Sequence, residues 1–160
     1  MIRVGIGYDI HRLAQGKPLV LGGVAIPYEL GFVAHSDGDV LCHAIADALL
    51  GAAGLPNIGV LFPDTDPAFK DSDSLKLLSK VVDVLKEKRS IPVQLDANII
   101  AQRPKIQPYI QAMRTKIAQC LHIPVESVSV KPRTNEEVGP EGRGEAISAQ
   151  VVLLITTEGP

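Results

Sequence analysis

Tryptophan is absent from this sequence, and only three tyrosines and three phenylalanines supply large aromatic side chains. The 16 basic and 18 acidic residues leave a net charge of −2, so neither sign of charge dominates. Proteins that bind nucleic acid without sequence preference usually combine a basic surface with aromatic side chains on which bases stack. The composition therefore argues against general nucleic-acid binding.

Long apolar segments are also missing, because no run approaches the roughly 20 residues that a membrane-spanning helix needs. Cys42 and Cys120 are the only cysteines and both fall in helical patterns, which argues against a disulfide framework. The chain reads as a strand from Ile2 and leaves no room for a targeting peptide. We therefore expect a cytoplasmic protein that makes no membrane contact.

The hydrophobic patterning that is present is typical of one globular domain over residues 1–160. Alternation of apolar residues predicts strands at 2–8, 93–101, 128–131 and 147–156, and a hairpin within 18–26. Helical periodicity predicts helices at 37–53, 74–88 and 108–121. The stretch 55–73, rich in proline and aspartate, is predicted to be a functional loop.

This order of elements predicts an α+β fold, with a mixed four-stranded sheet, a small extra hairpin, and three helices on one face of the sheet. The last strand is apolar at consecutive positions from Val151 to Ile155, so both of its faces should be buried. Self-association is the simplest way to cover the face that carries no helices.

Asp9, His11 and His43 are candidate metal ligands. Asp9 and His11 alternate on one face of the first strand, and His43 lies on a helix face between Asp39 and Asp47. One carboxylate and two imidazoles suit a catalytic zinc ion with an open fourth position, and the two helix aspartates could orient an imidazole. The same spacing also fits a buried histidine bonded to its aspartate neighbours, and spacing alone leaves both interpretations open.

Two further segments suit anions. His35 and Ser36 precede the first predicted helix, where free N–H groups favour a phosphate. The alternative interpretation is a capped helix start with no ligand, in which Ser36 or Asp37 is the cap. Residues 131–136 combine two cations, a hydroxyl and a carboxylate, which suits a diphosphate bridged by magnesium or manganese on Glu136. A charged strand end would look similar, and the glycine-rich run 139–145 is either a turn or a phosphate-binding nest.

The chain resembles the 2-C-methyl-D-erythritol 2,4-cyclodiphosphate synthase family over residues 2–156. The segments that carry this resemblance are, in order, GYDIHRL, GGVAIPYELG, AHSDGDVLCHAIADALLGAAG, IGVLFPDTDPAFKDSDS, IIAQRPKIQP and GRGE. The resemblance implies a homotrimer whose sheets face the three-fold axis, with active sites between subunits. Each site would convert 4-diphosphocytidyl-2-C-methyl-D-erythritol 2-phosphate to the cyclodiphosphate and CMP, as a phosphorus–oxygen lyase of the non-mevalonate isoprenoid pathway.

The resemblance also implies roles for individual residues. It assigns zinc to Asp9, His11 and His43, with the first two also near the substrate, and assigns His35 and Thr134 to steadying the transferring phosphate. Residues matching the part around the methylerythritol unit are Ser36, Asn57, Ile58, Gly59, Phe62, Asp64 and Asp66. Residues matching the cytosine pocket of the adjacent subunit are Ala101, Pro104, Lys105 and Ile106. Glu136 matches the ligand of the second cation, magnesium or manganese, with Arg133 beside the diphosphate.

Arg143 and Glu145 match residues around an axial cavity, where some relatives hold an isoprenoid diphosphate. The chain departs from the family pattern at three positions. Asn57 replaces an acidic residue, Arg133 replaces a small or neutral one, and Pro140 replaces an aromatic one.

Two alternative functions are compatible with the same candidate metal and phosphate sites. One is a zinc phosphodiesterase or nucleotidase that uses water as the nucleophile, and the other is a non-catalytic trimer that binds isoprenoid diphosphates.

Overall fold

The computed structural model describes residues 1–63 and 72–158. The strands are β1 (Ile2–Gln15), β2 (Val20–Leu21), β3 (Val24–Ala25), β4 (Leu30–Phe32), β5 (Ser90–Ile100), β6 (Val128–Arg133) and β7 (Ala146–Thr157). The helices are α1 (Val40–Ala52), α2 (Ile58–Leu61), α3 (Ser74–Glu87), α4 (Ile110–Leu121) and α5 (Gly139–Gly142). Short 3-10 turns at Gln107–Tyr109 and Val125–Ser127 precede α4 and β6.

Five strands form the main sheet, in the order β4-β1-β7-β5-β6, and β2 pairs with β3 in a separate ribbon. β5 and β6 are parallel and the other neighbours are antiparallel, so the sheet is mixed. The predicted α+β class and the small hairpin are confirmed, but the prediction of four strands in the sheet is wrong. β1 continues past its polar residues to Gln15, and its far end pairs with the short strand β4, where Leu13 faces Phe32.

The central helix α1 lies directly on β1 and β7, because two glycines of β1 allow a close approach. A Cβ atom on Gly5 would lie 1.9 Å from the carbonyl oxygen of Ala48, and one on Gly7 would lie 1.9 Å from that of Ala44. α3 contacts β5 and α4 contacts β6. The backbone of α1 therefore lies close to β1, and His43 of α1 is brought beside Asp9 and His11.

On the opposite face of the sheet, the side formed by β1 is apolar and exposed. Ile2, Val4 and Ile6 of β1 are 71%, 65% and 67% exposed, and Val152 of β7 alternates with buried neighbours. Within the chain, only one of the two faces of β7 that were predicted to be buried is covered. Among the described residues, no helix is long and apolar enough to cross a membrane.

Several boundaries differ from the predicted ones. The predicted helix 37–53 begins only at Val40, because the carboxylate of Asp39 caps the Cys42 N–H; Ser36 and Asp37 are therefore not the cap. The predicted loop 55–73 contains the short helix α2, which Asn57 caps by accepting a hydrogen bond from the Val60 N–H. The predicted site residues Asp64 and Asp66 lie outside the described residues.

Candidate metal centre and substrate cavities

Asp9, His11 and His43 converge on one point between β1 and α1. Asp9 Oδ2 lies 2.9 Å from His43 Nδ1 and 3.2 Å from His11 Nε2. The two imidazole nitrogens lie 3.3 Å from each other. Asp9 and His11 reach this point together because they occupy alternate positions of β1 and so project to the same face.

These separations fit a tetrahedral metal ion. Donor atoms bound about 2.0–2.1 Å from a tetrahedral zinc lie about 3.3 Å apart, which is the edge of the tetrahedron. The three distances between donor atoms, 2.9, 3.2 and 3.3 Å, are close to that edge. All three side chains are half-buried, so one corner can remain open to the cavity. The chain therefore contains a metal-binding triad of the predicted residues.

The prediction that Asp39 orients the His43 imidazole is wrong. The Asp39 carboxylate is fully buried and accepts hydrogen bonds from the N–H groups of Gly22, Gly23 and Cys42, at 2.9, 2.7 and 3.1 Å. Burial raises the pKa of Asp39, although these three donors favour its charged form. The carboxylate thereby joins the β2–β3 turn to the start of α1.

Asp47 is used in a similar way. Its carboxylate accepts a hydrogen bond from the Ile58 N–H at 2.7 Å and so fixes the start of α2 next to α1. The predicted contact from Asp47 to His43 is therefore also wrong. Both results exclude the alternative interpretation in which His43 is held by its own helix neighbours.

The second ring nitrogen of His43 faces hydroxyl groups instead. Nε2 lies 2.9 Å from Ser74 Oγ and 3.2 Å from Ser36 Oγ. Sequence reasoning missed Ser74, which lies 31 residues from His43 at the first position of α3. In the sequence, Ser74 follows the Asp73 cap and resembles any first residue of a helix. No pattern in the neighbouring residues therefore connects Ser74 to a metal ligand.

The pKa values of the two histidines of the triad are shifted in opposite directions. Burial disfavours the charged form of His43, but the hydrogen bond and the charge of Asp9 outweigh burial and raise the pKa of His43. Burial outweighs the charge of Asp9 at His11 and lowers the pKa of His11. The Asp9 carboxylate is thus associated more closely with the helix histidine than with its strand neighbour.

A cavity of about 200 Å³ opens beside the triad. The predicted residues that line it together with His11 and His43 are His35, Ser36, Ile58, Gly59 and Phe62. Ala34, Ser72 and Leu77 complete its wall. The structure therefore brings the candidate phosphate-binding residues and the α2 residues to the metal triad. Asn57 is not among the lining residues, since its side chain is used as the α2 cap.

Six further predicted residues lie at a second cavity, of about 190 Å³. Its predicted lining residues are Ala101, Pro104, Lys105, Ile106, Arg133 and Thr134. Glu136 lines an adjoining polar cavity with Thr134, whose hydroxyl donates to Glu136 Oε1 at 2.9 Å. Within the described residues, His35 and Thr134 line different cavities, so one chain does not bring the two candidate catalytic residues together.

Arg143 forms an exposed bidentate pair with Glu145, with Nε–Oε1 and Nη2–Oε2 distances of 2.8 and 3.0 Å. The hydrogen bond from Arg143 lowers the pKa of the Glu145 carboxyl. Both side chains follow the short helix α5, which contains Pro140. Arg143 and Glu145, the residues predicted to surround an axial cavity, therefore pair with each other.

Comparison with known proteins identifies the family. The model of the YgbB family matches residues 2–156. The 2-C-methyl-D-erythritol 2,4-cyclodiphosphate synthase of Bacillus velezensis is 53% identical over 155 residues, which is 97% of this chain and 98% of that protein. The enzyme of the same name from Bacillus subtilis is 52% identical over 155 residues, with the same two coverages.

Solved structures agree with this result. The bifunctional IspDF from Campylobacter jejuni superimposes with a TM-score of 0.94 at 39% identity, covering 99% of this chain, which spans 43% of that longer chain. A CDP-bound 2C-methyl-D-erythritol-2,4-cyclodiphosphate synthase superimposes with a TM-score of 0.89 at 34% identity, covering 96% of this chain and 100% of that one. With its metal triad, its fold and its sequence in agreement, this chain belongs to the YgbB family, whose matching relatives are the 2-C-methyl-D-erythritol 2,4-cyclodiphosphate synthases.

Proposed function

We propose that this protein converts 4-diphosphocytidyl-2-C-methyl-D-erythritol 2-phosphate to 2-C-methyl-D-erythritol 2,4-cyclodiphosphate and CMP. The observation that carries the proposal is the tetrahedral spacing of Asp9, His11 and His43 at a cavity lined by His35 and Ser36. The names of relatives more than 50% identical over nearly the whole chain support it.

The reaction needs no protein nucleophile. The 2-phosphate of the substrate is largely dianionic near neutral pH, since its second pKa is about 6. One of its oxygens forms a bond to the β-phosphorus, and the bond from that phosphorus to the α–β bridging oxygen breaks, so that CMP leaves with the electron pair. Holding both phosphates in one reactive geometry lowers the activation barrier by up to roughly 7–11 kcal/mol.

The residues of this chain would bind and orient the phosphates. Asp9, His11 and His43 would hold zinc, and a divalent ion there supplies positive charge to neighbouring phosphate oxygens. His35 and Ser36 offer hydrogen-bond donors on the same cavity wall. Thr134 would contact the transferring phosphate, and Glu136 would hold magnesium or manganese.

We further propose that the active site is completed by a neighbouring copy in a homotrimer. The exposed apolar face of β1 and β7 is of the kind that oligomers bury, with Ile2, Val4 and Ile6 all more than half exposed. The cavity beside the triad and the second cavity are separate within one chain. Contact between subunits would bring the second cavity of one copy next to the triad cavity of another. The second cavity would then hold the cytosine, through Ala101, Pro104, Lys105 and Ile106.

The other assignments follow the same division. Ile58, Gly59 and Phe62 line the cavity beside the triad and would surround the methylerythritol unit. Asn57, Asp64 and Asp66 are proposed for the same role from the family resemblance alone. Arg133 would contact the diphosphate from the second cavity. Arg143 and Glu145 would face the three-fold axis, where Pro140 in place of an aromatic side chain weakens the case for an isoprenoid ligand.

Phosphorus NMR with the cytidyl substrate tests the proposed reaction. The expected products are CMP and the cyclic diphosphate, in equal amounts, and a chelator should abolish both. A linear bisphosphorylated product would instead indicate a zinc phosphodiesterase that uses water. Binding without turnover at saturating zinc and magnesium would indicate a non-catalytic binding protein, and either result would overturn the proposed function.

A further inference from the structure

The ring of His43 is held from both of its nitrogens. Nδ1 faces Asp9 and His11, and Nε2 faces the hydroxyl of Ser74 at 2.9 Å. Ser74 is 1% exposed. Ser36, whose hydroxyl is 3.2 Å from the same nitrogen, is half-buried and lines the cavity beside the triad. Because a hydrogen bond strengthens as water is excluded, Ser74 is the stronger partner of Nε2.

Asp37 fixes the direction of the hydrogen bonds at Ser74. The Ser74 hydroxyl donates to Asp37 Oδ1 in a short hydrogen bond, and the Ser74 N–H donates to Asp37 Oδ2 at 2.9 Å. The Asp37 N–H in turn donates to the Ser72 carbonyl at 3.2 Å. An ionised carboxylate only accepts hydrogen bonds, so the single hydroxyl proton of Ser74 is committed to Asp37.

This direction determines which nitrogen of His43 carries a proton when a metal is bound. With its own proton committed, Ser74 Oγ can only accept from Nε2–H. A ring with its proton on Nε2 presents a free lone pair on Nδ1, the atom that faces Asp9 and His11. Metal-binding histidines commonly donate their second ring N–H to a neighbouring acceptor, which fixes the tautomer and the orientation of the ring.

We propose that Ser74, oriented by Asp37, is a positioning residue that holds His43 in the tautomer and orientation needed for metal binding. The inference rests on the proposed metal site, whose ligands come from β1 and α1. It adds a residue of a third secondary-structure element, α3, to that site. Ser74 touches neither substrate nor metal and acts through His43.

A purely structural role for Ser74, as an anchor of α3, makes a different prediction. The backbone N–H of Ser74 keeps its hydrogen bond to Asp37 in an alanine variant, which loses only the hydroxyl. If the hydroxyl served only to anchor α3, its loss would lower the free energy of unfolding of the metal-free protein and leave the affinity for zinc unchanged. A positioning residue changes the affinity for the metal.

The test measures zinc affinity of the whole protein by competition with a chromophoric chelator, and urea unfolding of the metal-free protein in parallel. Ser74→Ala should weaken zinc binding by about 10–100-fold, the usual effect of losing such an outer hydrogen bond. Ser74→Thr, which keeps the hydroxyl, should recover most of that loss. Ser36→Ala is the matched control, because it removes the longer hydroxyl contact to the same nitrogen, and it should change zinc affinity far less.

Unchanged zinc affinity in Ser74→Ala would overturn the inference, and so would a folded Ser74→Thr that binds zinc as weakly as Ser74→Ala. Nitrogen-15 NMR of the zinc-loaded, unsubstituted protein tests it independently of any variant: the His43 proton should be on Nε2, and a proton on Nδ1 would overturn it. Failure of the unsubstituted protein to bind zinc at all would refute the metal site of the proposed function, and the inference with it.

Discussion

The metal triad and the C-terminal polar segment, residues 131–145, are built in contrasting ways. The triad and its hydroxyl partner come from β1, α1 and α3. Asp9 and His11 are two residues apart on β1, but the contacts of His43 with Asp9, His11 and Ser74 join residues 31 to 34 positions apart. Two polar pairs of the C-terminal segment are local, since Thr134 with Glu136 and Arg143 with Glu145 are two residues apart, whereas Lys131 at its start pairs with Asp96, 35 positions away. The four side chains of the two local pairs are also exposed.

This contrast separates the metal triad, whose three donors all come from one chain, from the C-terminal segment, which we propose acts together with a neighbouring copy. Half-buried donors braced by several elements hold their geometry before any ligand arrives, which favours a metal site. Exposed charges with only local partners are free to meet groups outside the chain. We therefore expect substitutions in the triad to act within one subunit, and substitutions in the C-terminal segment to act on the substrate and second cation.

The largest effect is expected for His43→Ala. Loss of one of three ligands should abolish metal retention and lower turnover by about 10³-fold or more, because a catalytic metal ion contributes several kcal/mol. The metal content after dialysis and the rate of CMP release measure the two effects. Size-exclusion chromatography should show the same oligomer as the unsubstituted protein, and a variant with normal turnover would refute the ligand assignment.

Gly7→Ala tests whether the triad depends on the close contact of α1 with β1. The added Cβ would lie 1.9 Å from the Ala44 carbonyl oxygen, so α1 must shift, and unfolding in urea should become easier by about 1–3 kcal/mol. Zinc affinity should fall as well, since His43 moves with the helix.

Gly51→Ala is the matched control for Gly7→Ala. A Cβ on Gly51, in α1 itself, meets nothing within 4 Å, and alanine is the better helix former by about 0.5–1 kcal/mol. This variant should be slightly more stable at the same protein concentration. Equal stability of the two variants would contradict the close-approach argument.

Glu136→Ala should act on the second cation alone. The magnesium concentration needed for half-maximal turnover should rise by on the order of tenfold or more, since a carboxylate ligand is lost. Zinc affinity should stay unchanged, because Glu136 lies at the cavity adjoining the second one and not at the triad. A magnesium titration identical to that of the unsubstituted protein would count against the role of Glu136.

The smallest effect is expected for Arg133→Ala. Arg133 is exposed at the edge of the second cavity, where screening limits a charge contact to about 0.2–1 kcal/mol. KM should rise by a few fold with little change in kcat, and the difference should shrink at high salt. An unchanged KM at low ionic strength would place Arg133 away from the diphosphate.

The parts of the site that could be predicted are those in which the pattern is local. Alternation along a strand places Asp9 and His11 on one face, and helical periodicity identifies α1, so these residues and His43 are candidate ligands by spacing and residue type. Spacing alone leaves a buried histidine equally open, and the family resemblance favours the metal site. The same reasoning was wrong for Asp39 and Asp47, because it assumed that helix neighbours interact with each other. Both carboxylates instead accept hydrogen bonds from backbone N–H groups of other segments.

The fold shows the same limit. The α+β class and most elements were predicted from periodicity, whereas the fifth strand was not, since the three residues of β4 carry too short a pattern to recognise. Ser74 was missed for a comparable reason, because its role depends on where the start of α3 is placed beside α1.

The sequence alone determined the residue types that chemistry requires, their alternation or helical spacing, and the family to which the chain is similar. Only the tertiary structure decided which acceptor each polar group uses and which cavity each residue lines. Periodicity acts over a few residues and is set by backbone geometry. The choice among distant hydrogen-bond partners depends instead on the packing of α1 against β1 and on the burial that this packing creates.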